Sequence, residues 1–245
     1  MEKLKIGFKG AYGRNHGRIS SYHRERGSKK VYKIVDFHRN LVDVRGKIKF
    51  IQKDRYRSSP VAGVYYSNKY FSYMLAIDKL KIGNFIMNTY GNEKLESNQK
   101  QLGLSCPLRY VKVGEKLHNI ELLPGKGGKI IRSAGTFSKI IKKYEDNALM
   151  KLSSGEFRLF LLDCMCTIGR VANIHHHEEN LLKAGKVRWL GKRPIVRGRA
   201  MNPVDHPHGG RTNGGISPRT PWGALTRGIK TVKKKKICII KKRNK

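Results

Sequence analysis

The chain has 245 residues, with 53 Lys plus Arg against 17 Asp plus Glu and a formal net charge of +36. Such a surplus repels itself unless a polyanion lies nearby, which points to nucleic acid ahead of an anionic membrane surface. The 38% apolar share is thin for one large enzyme core, and no run reaches the roughly 20 apolar residues of a membrane-spanning helix, so neither is expected.

Charge divides the chain into three. Residues 1–60 carry 17 basic and 5 acidic residues, residues 61–180 carry 17 and 11, and residues 181–245 carry 19 and 1. A near-balanced middle that folds is flanked by segments that need an anionic partner. The opening MEKLKIGFKG has neither an apolar signal core nor the Arg- and Ser-rich character of an organelle presequence. Two basic runs follow, Gly13-Arg14-Asn15-His16-Gly17-Arg18 and Tyr22-His23-Arg24-Glu25-Arg26-Gly27-Ser28-Lys29-Lys30. Glycine lets a backbone approach phosphate closely, guanidinium binds phosphate bidentately, and Tyr and His rings stack on bases. Arg14, Asn15, His16, Arg18, Arg24, Arg26, Lys29 and Lys30 are therefore candidate RNA contacts, against the alternative of a solvated basic tail.

The middle reads as short strands. Val44 to Ile51 alternates, with Ile48 and Phe50 opposite Lys47 and Lys49. Residues 61–66 and 70–77 follow, joined by Ser67-Asn68-Lys69, and Phe85 to Tyr90 is a further strand. A polar stretch at 91–101 marks a domain boundary. Thr136 to Tyr144, Ala148 to Leu152 and Glu156 to Leu162 then alternate, separated by Glu145-Asp146-Asn147 and Ser153-Ser154-Gly155. Short strands at this spacing predict small barrels or sandwiches. Cys106, Cys164, Cys166 and Cys238 match neither a disulfide framework nor zinc pairs. Cys164 and Cys166 are expected on one strand, with one thiol buried.

Three motifs invite catalytic or metal readings and carry none. Pro124-Gly125-Lys126-Gly127-Gly128-Lys129 is too short for a nucleotide-binding loop, and Lys129 is followed by Ile130 rather than Ser or Thr. A flexible loop whose Lys126 and Lys129 touch phosphate is expected. His175-His176-His177-Glu178-Glu179 offers adjacent ligands that cannot easily converge on one ion, so a polar loop and no metal site are expected. Asp205 beside His206 suggests a base, but no Ser or Cys nucleophile lies in that segment.

Residues 191–230 contain 8 Gly and 5 Pro and too little apolar surface to offset their own ordering entropy. They are expected to become ordered on a partner. Arg197, Arg199, Asn202, His206, His208, Arg211 and Trp222 are the candidate contacts there, with His206 and His208 presented by a loop stiffened by Pro203 and Pro207. Lys233, Lys234, Lys235 and Lys236 would meet phosphates, while Ile237-Cys238-Ile239-Ile240 docks on a surface or forms a short strand.

GRNHGRIS (13–20), YKIVDFHRN (32–40), LHNIELLPGKGGKIIRSAGT (117–136), TIGRVAN (167–173), KVRWLGKRPIVRGRAMNPVDHPHGG (186–210) and TPWGALTRGIKT (220–231) together resemble one family. It is the universal large-subunit ribosomal protein family conventionally numbered two, in its bacterial and organellar form. Arg132, Arg188, Trp189, Lys192 and Arg193 in these stretches join the RNA-binding candidates.

The resemblance implies an all-β fold: a basic segment at 1–29, an oligonucleotide-binding-type barrel at 30–100, an SH3-like barrel at 101–180 and an extended RNA-penetrating arm at 181–245. It implies a structural constituent of the large ribosomal subunit that binds ribosomal RNA and neighbouring ribosomal proteins. It further implies contact with the small subunit and support of the peptidyl-transferase centre. No enzyme activity and no intrinsic cofactor are expected, and Mg2+ would enter only through bound RNA. Family members carry a longer N-terminal extension than the 12 residues before Gly13, and the stretch between Gly210 and Thr220 is shortened. With Lys over Arg at 33 to 20, 21 Ile and 14 Asn, these features point to a mitochondrial ribosome, with plastid or bacterial cytoplasm as the alternatives.

Overall fold

The computed structural model describes residues 4–7, 12–91, 102–210, 216–228 and 238–242. The chain divides into two compact units. One comprises residues 1–8, 30–180 and 238–245; the other comprises residues 9–29 and 181–237.

The first unit is built from strands. β1 (Lys5–Gly7) pairs with β4 (Val31–Lys33) as an antiparallel ribbon. β5 (Gly46–Gln52), β6 (Val61–Tyr66), β7 (Phe71–Leu75) and β8 (Phe85–Ile86) form an antiparallel sheet in the order β7-β6-β5-β8. The expected 67–69 turn closes the β6–β7 hairpin: Lys69 takes a left-handed φ of 62°, and the Asn68 side chain accepts the Tyr70 amide at 3.2 Å. In β5 the Lys-Ile-Lys alternation holds, with Ile48 fully buried between exposed Lys47 and Lys49. A bulge between Ile48 and Phe50 then resets the phase, leaving Phe50 and Ile51 both half-buried. Gly63 sits opposite, where a Cβ would lie 2.4 Å from the Phe50 ring.

The second sheet joins β9 (Ser105–Pro107), β10 (Lys116–His118), β13 (Ser138–Lys143), β14 (Asn147–Lys151), β15 (Phe157–Leu161), β16 (Met165–Ile168) and β17 (Ile239–Lys241), in the order β17-β15-β14-β13-β10-β16-β9. The ribbon of β11 (Ile120–Glu121) and β12 (Gly128–Ile130) stands beside it. Of the apolar 237–240 run, Ile239 and Ile240 lie on β17 at the sheet edge, with Ile239 paired to Arg158, while Ile237 lies outside the described residues. The fold is all-β, and α1 (Ala184–Trp189) is the only α-helix among the described residues.

Burial explains the packing. Ile48, Val64, Met74, Ile77 and Ile86 form the core of the first sheet, and Phe50, Phe71 and Tyr73 pack edge-to-face or tilted with Val35, Val61 and Leu75. Leu104, Leu108, Leu117, Ile120, Ile140 and Met150 fill the core of the second. The expectation of one buried thiol requires correction. Side chains two positions apart on a strand share a face, so one buried thiol would bring the other with it; Cys164 sits just before β16, and both residues are fully buried. Burial pushes the Cys164 thiol up to about 11 and raises Cys166 well above the usual thiol value, so neither is a nucleophile at neutral pH.

Two basic side chains are buried among the described residues of this unit. The Arg39 guanidinium, 2% exposed, donates to Asn88 Oδ1 at 2.7 Å and to the Gly103 carbonyl at 2.9 Å. His118 is 1% exposed, with Nδ1 3.2 Å from the Gly169 carbonyl. Burial pulls its pKa from 6.5 down to about 4, and the nearby Arg39 charge adds to that, against the carbonyls of Gly169 and Thr167.

The folded protein thus refuses a proton that the unfolded chain accepts. This contribution to stability is constant above pH 6.5 and lost as pH falls towards about 4. The expected loss is about 3 kcal/mol. Urea midpoints from about pH 7.5 to about pH 4.5 check it; a His118→Gln protein that kept the whole acid slope would exonerate His118.

Candidate nucleic-acid interface

The second unit has almost no core. Among its described residues only His206 is buried. Its shape comes from backbone pairing and glycine. β2 (Arg14–Asn15) and β3 (Arg18–Ile19) form a hairpin whose two turn residues, His16 and Gly17, both take positive φ (46° and 75°). This is the turn that matches strand twist best. It presents Arg14, Asn15, His16 and Arg18, all exposed.

Residues 23–28 then run against 189–193. The Glu25 amide donates to Gly191 O at 3.0 Å, Ser28 to Trp189 O at 2.9 Å, and Arg193 to His23 O at 3.0 Å, with Arg24 bridged to Lys192. Two glycines permit this closeness. A Cβ on Gly27 would lie 2.5 Å from Trp189 O, and one on Gly191 would lie 2.6 Å from Glu25 O. Gly27→Ala, also strained by a φ of +66°, should break the pairing. Hydrogen exchange at the Glu25 and Ser28 amides should then accelerate at least tenfold (about 1.4 kcal/mol or more); unchanged protection would contradict the packing.

The result is a cleft of about 360 Å³ lined by Tyr12, Arg14, Arg24, Arg26, Arg188 and Arg193 around Glu25. Arg188 grips Glu25 through both carboxylate oxygens, Nη2 to Oε2 at 2.7 Å. With both groups partly exposed, the pair adds little stability; its effect is to fix the direction of the guanidinium. Five guanidinium groups against one carboxylate suit phosphodiesters, which accept paired N–H donors. Trp189 is 56% exposed and carries the Lys183 ammonium 5.7 Å from its ring centre. Lys183 has no motif around it, and nothing in the sequence marks it as part of the interface.

The other candidates divide by unit. Lys30 belongs to the sheet unit, where its ammonium lies 5.8 Å from the Tyr56 ring centre; Lys29 remains with the second unit. The glycine loop is anchored from within: the Gly125 and Gly127 amides donate to the Glu121 carboxylate at 3.1 and 2.7 Å. Two of its backbone donors are thereby taken, while Lys126, Lys129 and Arg132 stay exposed.

In the arm, Arg197 precedes the 3-10 turn Gly198–Ala200, and Arg199 and Asn202 are exposed. The loop closes on itself, Gly210 N to Met201 O at 3.2 Å. His206 turns inward against Gly198, and its Nδ1 accepts the His208 amide at 2.9 Å. His208 Nε2 in turn accepts the Arg219 amide at 3.0 Å. Both imidazoles therefore hold the loop together, rather than both facing outward. Trp222 is 78% exposed. Arg211 and Lys233 to Lys236 lie outside the described residues.

His175 and His176 each meet a glutamate three residues on, at 2.9 and 3.2 Å. Among the described residues no three His, Cys, Asp or Glu side chains are grouped to hold a metal ion. No described helix is long and apolar enough to cross a membrane.

A strongly basic all-β chain with a guanidinium-lined cleft and exposed tryptophans is a nucleic-acid-binding protein by class. The family models described as Ribosomal Proteins L2, RNA binding N-terminal domain, and Ribosomal Proteins L2, C-terminal domain, match residues 1–88 and 101–223. Large ribosomal subunit protein uL2 of Rickettsia akari (strain Hartford) and that of Rickettsia canadensis (strain McKiel) are each 45% identical to it over 249 residues, covering 99% of this chain and 89% of the relative. The chain belongs to the ribosomal protein L2 family.

Proposed function

We propose that the chain is a structural constituent of the large ribosomal subunit that binds ribosomal RNA through the arginine cleft and the arm, alongside neighbouring ribosomal proteins. The carrying observation is the convergence of Arg14, Arg24, Arg26, Arg188 and Arg193 on one cleft. A unit with one buried residue among those described suits a segment that completes its packing on RNA. The two sheets correspond, in this reading, to the oligonucleotide-binding-type and SH3-like barrels at 30–100 and 101–180. The finer roles follow the same reading: contact with the small subunit, and support of the peptidyl-transferase centre by the 201–210 loop without catalysis by the protein itself. The Lys, Ile and Asn bias supports a mitochondrial ribosome.

Sucrose-gradient fractionation of whole-cell and organelle lysates, probed for this chain, tests the proposal. Co-sedimentation with large subunits in the mitochondrial fraction is expected. Migration as free protein would overturn the ribosomal role, and a peak in another fraction would overturn the compartment alone.

A further inference from the structure

A cavity of about 460 Å³ opens beside the edge strand β7 in the sheet unit and shares no lining residue with the arginine cleft. Its size falls in the range of about 300–1,000 Å³ typical of pockets that enclose small ligands. Three features of its wall point to the same occupant.

Phe37 and Tyr70 supply aromatic surface, and the Arg132 guanidinium lies 4.5 Å from the Phe37 ring centre. This leaves a supported planar cation as a stacking platform. Lys126, on the loop anchored by Glu121, and Lys129, on β12, are exposed and line the cavity. The one carboxylate in the wall, Asp36, already accepts the amides of His38 and Arg39 at 3.0 and 2.9 Å. Finally, Ser72 is 4% exposed, and its Oγ has no hydrogen-bond partner among the described residues. A buried hydroxyl without a partner is unfavourable, and a polar ligand atom would relieve it.

We propose that this cavity takes one unstacked nucleotide of ribosomal RNA. The base stacks on Arg132 and against Tyr70, its polar edge reaches Ser72, and the phosphate lies between Lys126 and Lys129. The inference rests on the RNA-binding reading above and adds to it a base-accepting pocket. A base within a duplex cannot enter such a cavity, so the site selects a loop, bulge or strand end.

The full-length chain bound to large-subunit ribosomal RNA is irradiated, and crosslinked peptides are identified by mass spectrometry. A nucleotide attached to Phe37, His38 or Tyr70 is expected. In parallel, Arg132→Lys and Tyr70→Leu are each expected to weaken binding about 5- to 50-fold. The salt slope should stay unchanged, because neither variant loses a cation.

Crosslinks confined to other segments would overturn the pocket while leaving RNA binding intact. So would an Arg132→Lys protein that binds as the parent does, since charge without stacking would then suffice. A parent chain that fails to bind the RNA at all would remove the underlying reading and this inference together. Titration with AMP and UMP separates the two sources of a nucleotide: weak binding, millimolar or poorer, is expected. Micromolar binding that is lost in Tyr70→Leu would assign the cavity to a free nucleotide instead.

Discussion

Glu121→Ala is expected to destabilise the sheet unit by about 3–5 kcal/mol. The Glu121 carboxylate is 2% exposed and accepts three backbone amides: Gly125 at 3.1 Å, Gly127 at 2.7 Å and Met165 at 3.1 Å. The first two belong to the glycine loop and the third opens β16. Truncation therefore leaves donors unpaired on two separate segments, each worth roughly 1–3 kcal/mol if it stays dry. The Gly125 end is exposed and recovers water, which keeps the total below the sum. Glu121→Gln retains one acceptor oxygen but turns an NH2 towards the remaining donors, so about half the loss is expected. Urea unfolding gives the magnitude, and hydrogen exchange at the Gly127 and Met165 amides gives the location. A loss under about 1 kcal/mol for Glu121→Ala would show that the amides find other acceptors.

RNA affinity should fall by about 10³ or more between about 50 and 200 mM salt, if six or more phosphates are neutralised. The five cleft arginines with Lys126, Lys129 and Arg132 supply enough cations. Arg14→Ala and Arg193→Ala should each reduce the slope of log affinity against log salt by about one. Glu25→Gln works in the opposite sense. It removes the carboxylate that Arg188 grips, so the freed guanidinium meets phosphate and the slope steepens. Filter binding across a salt series measures all four proteins. A flat dependence would dismiss the electrostatic account, and a shallower slope in Glu25→Gln would dismiss the assignment of Arg188 to the cleft.

The hairpins β6–β7 and β13–β14–β15 are legible in the sequence because each strand alternates or turns on local residues: Asn68-Lys69, Asp146-Asn147 and Ser154-Gly155. β9, β10 and β12 are not, and of β16 only the part within 164–166 is expected as strand. Each has three or four residues, and β9 and β16 are buried throughout, so no alternation exists to read. The residue types of the cleft are legible, but its assembly is not. Arg188 and Glu25 lie 163 positions apart, and only Gly27 and Gly191 permit their segments to touch. Asp205 stands out as the lone acid of the last 65 residues, while Glu121, which fixes a loop, has nothing around it to mark it. Its role depends on where three amides point, which composition does not encode. Pro on either side of His206 suggests display; the missing side chain of Gly198 instead gives the ring room to turn inward.

The nearly coreless unit has a consequence for calorimetry. Heat-capacity increments and denaturant m-values scale with the surface that unfolding uncovers. Residues 12–29 and 181–228 fully bury one side chain among those described, so their melting uncovers little apolar surface. A thermogram of the protein without RNA is therefore a measurement of the two sheets alone. A substitution such as Gly27→Ala would leave its midpoint and its area in place, though it dismantles the arginine cleft.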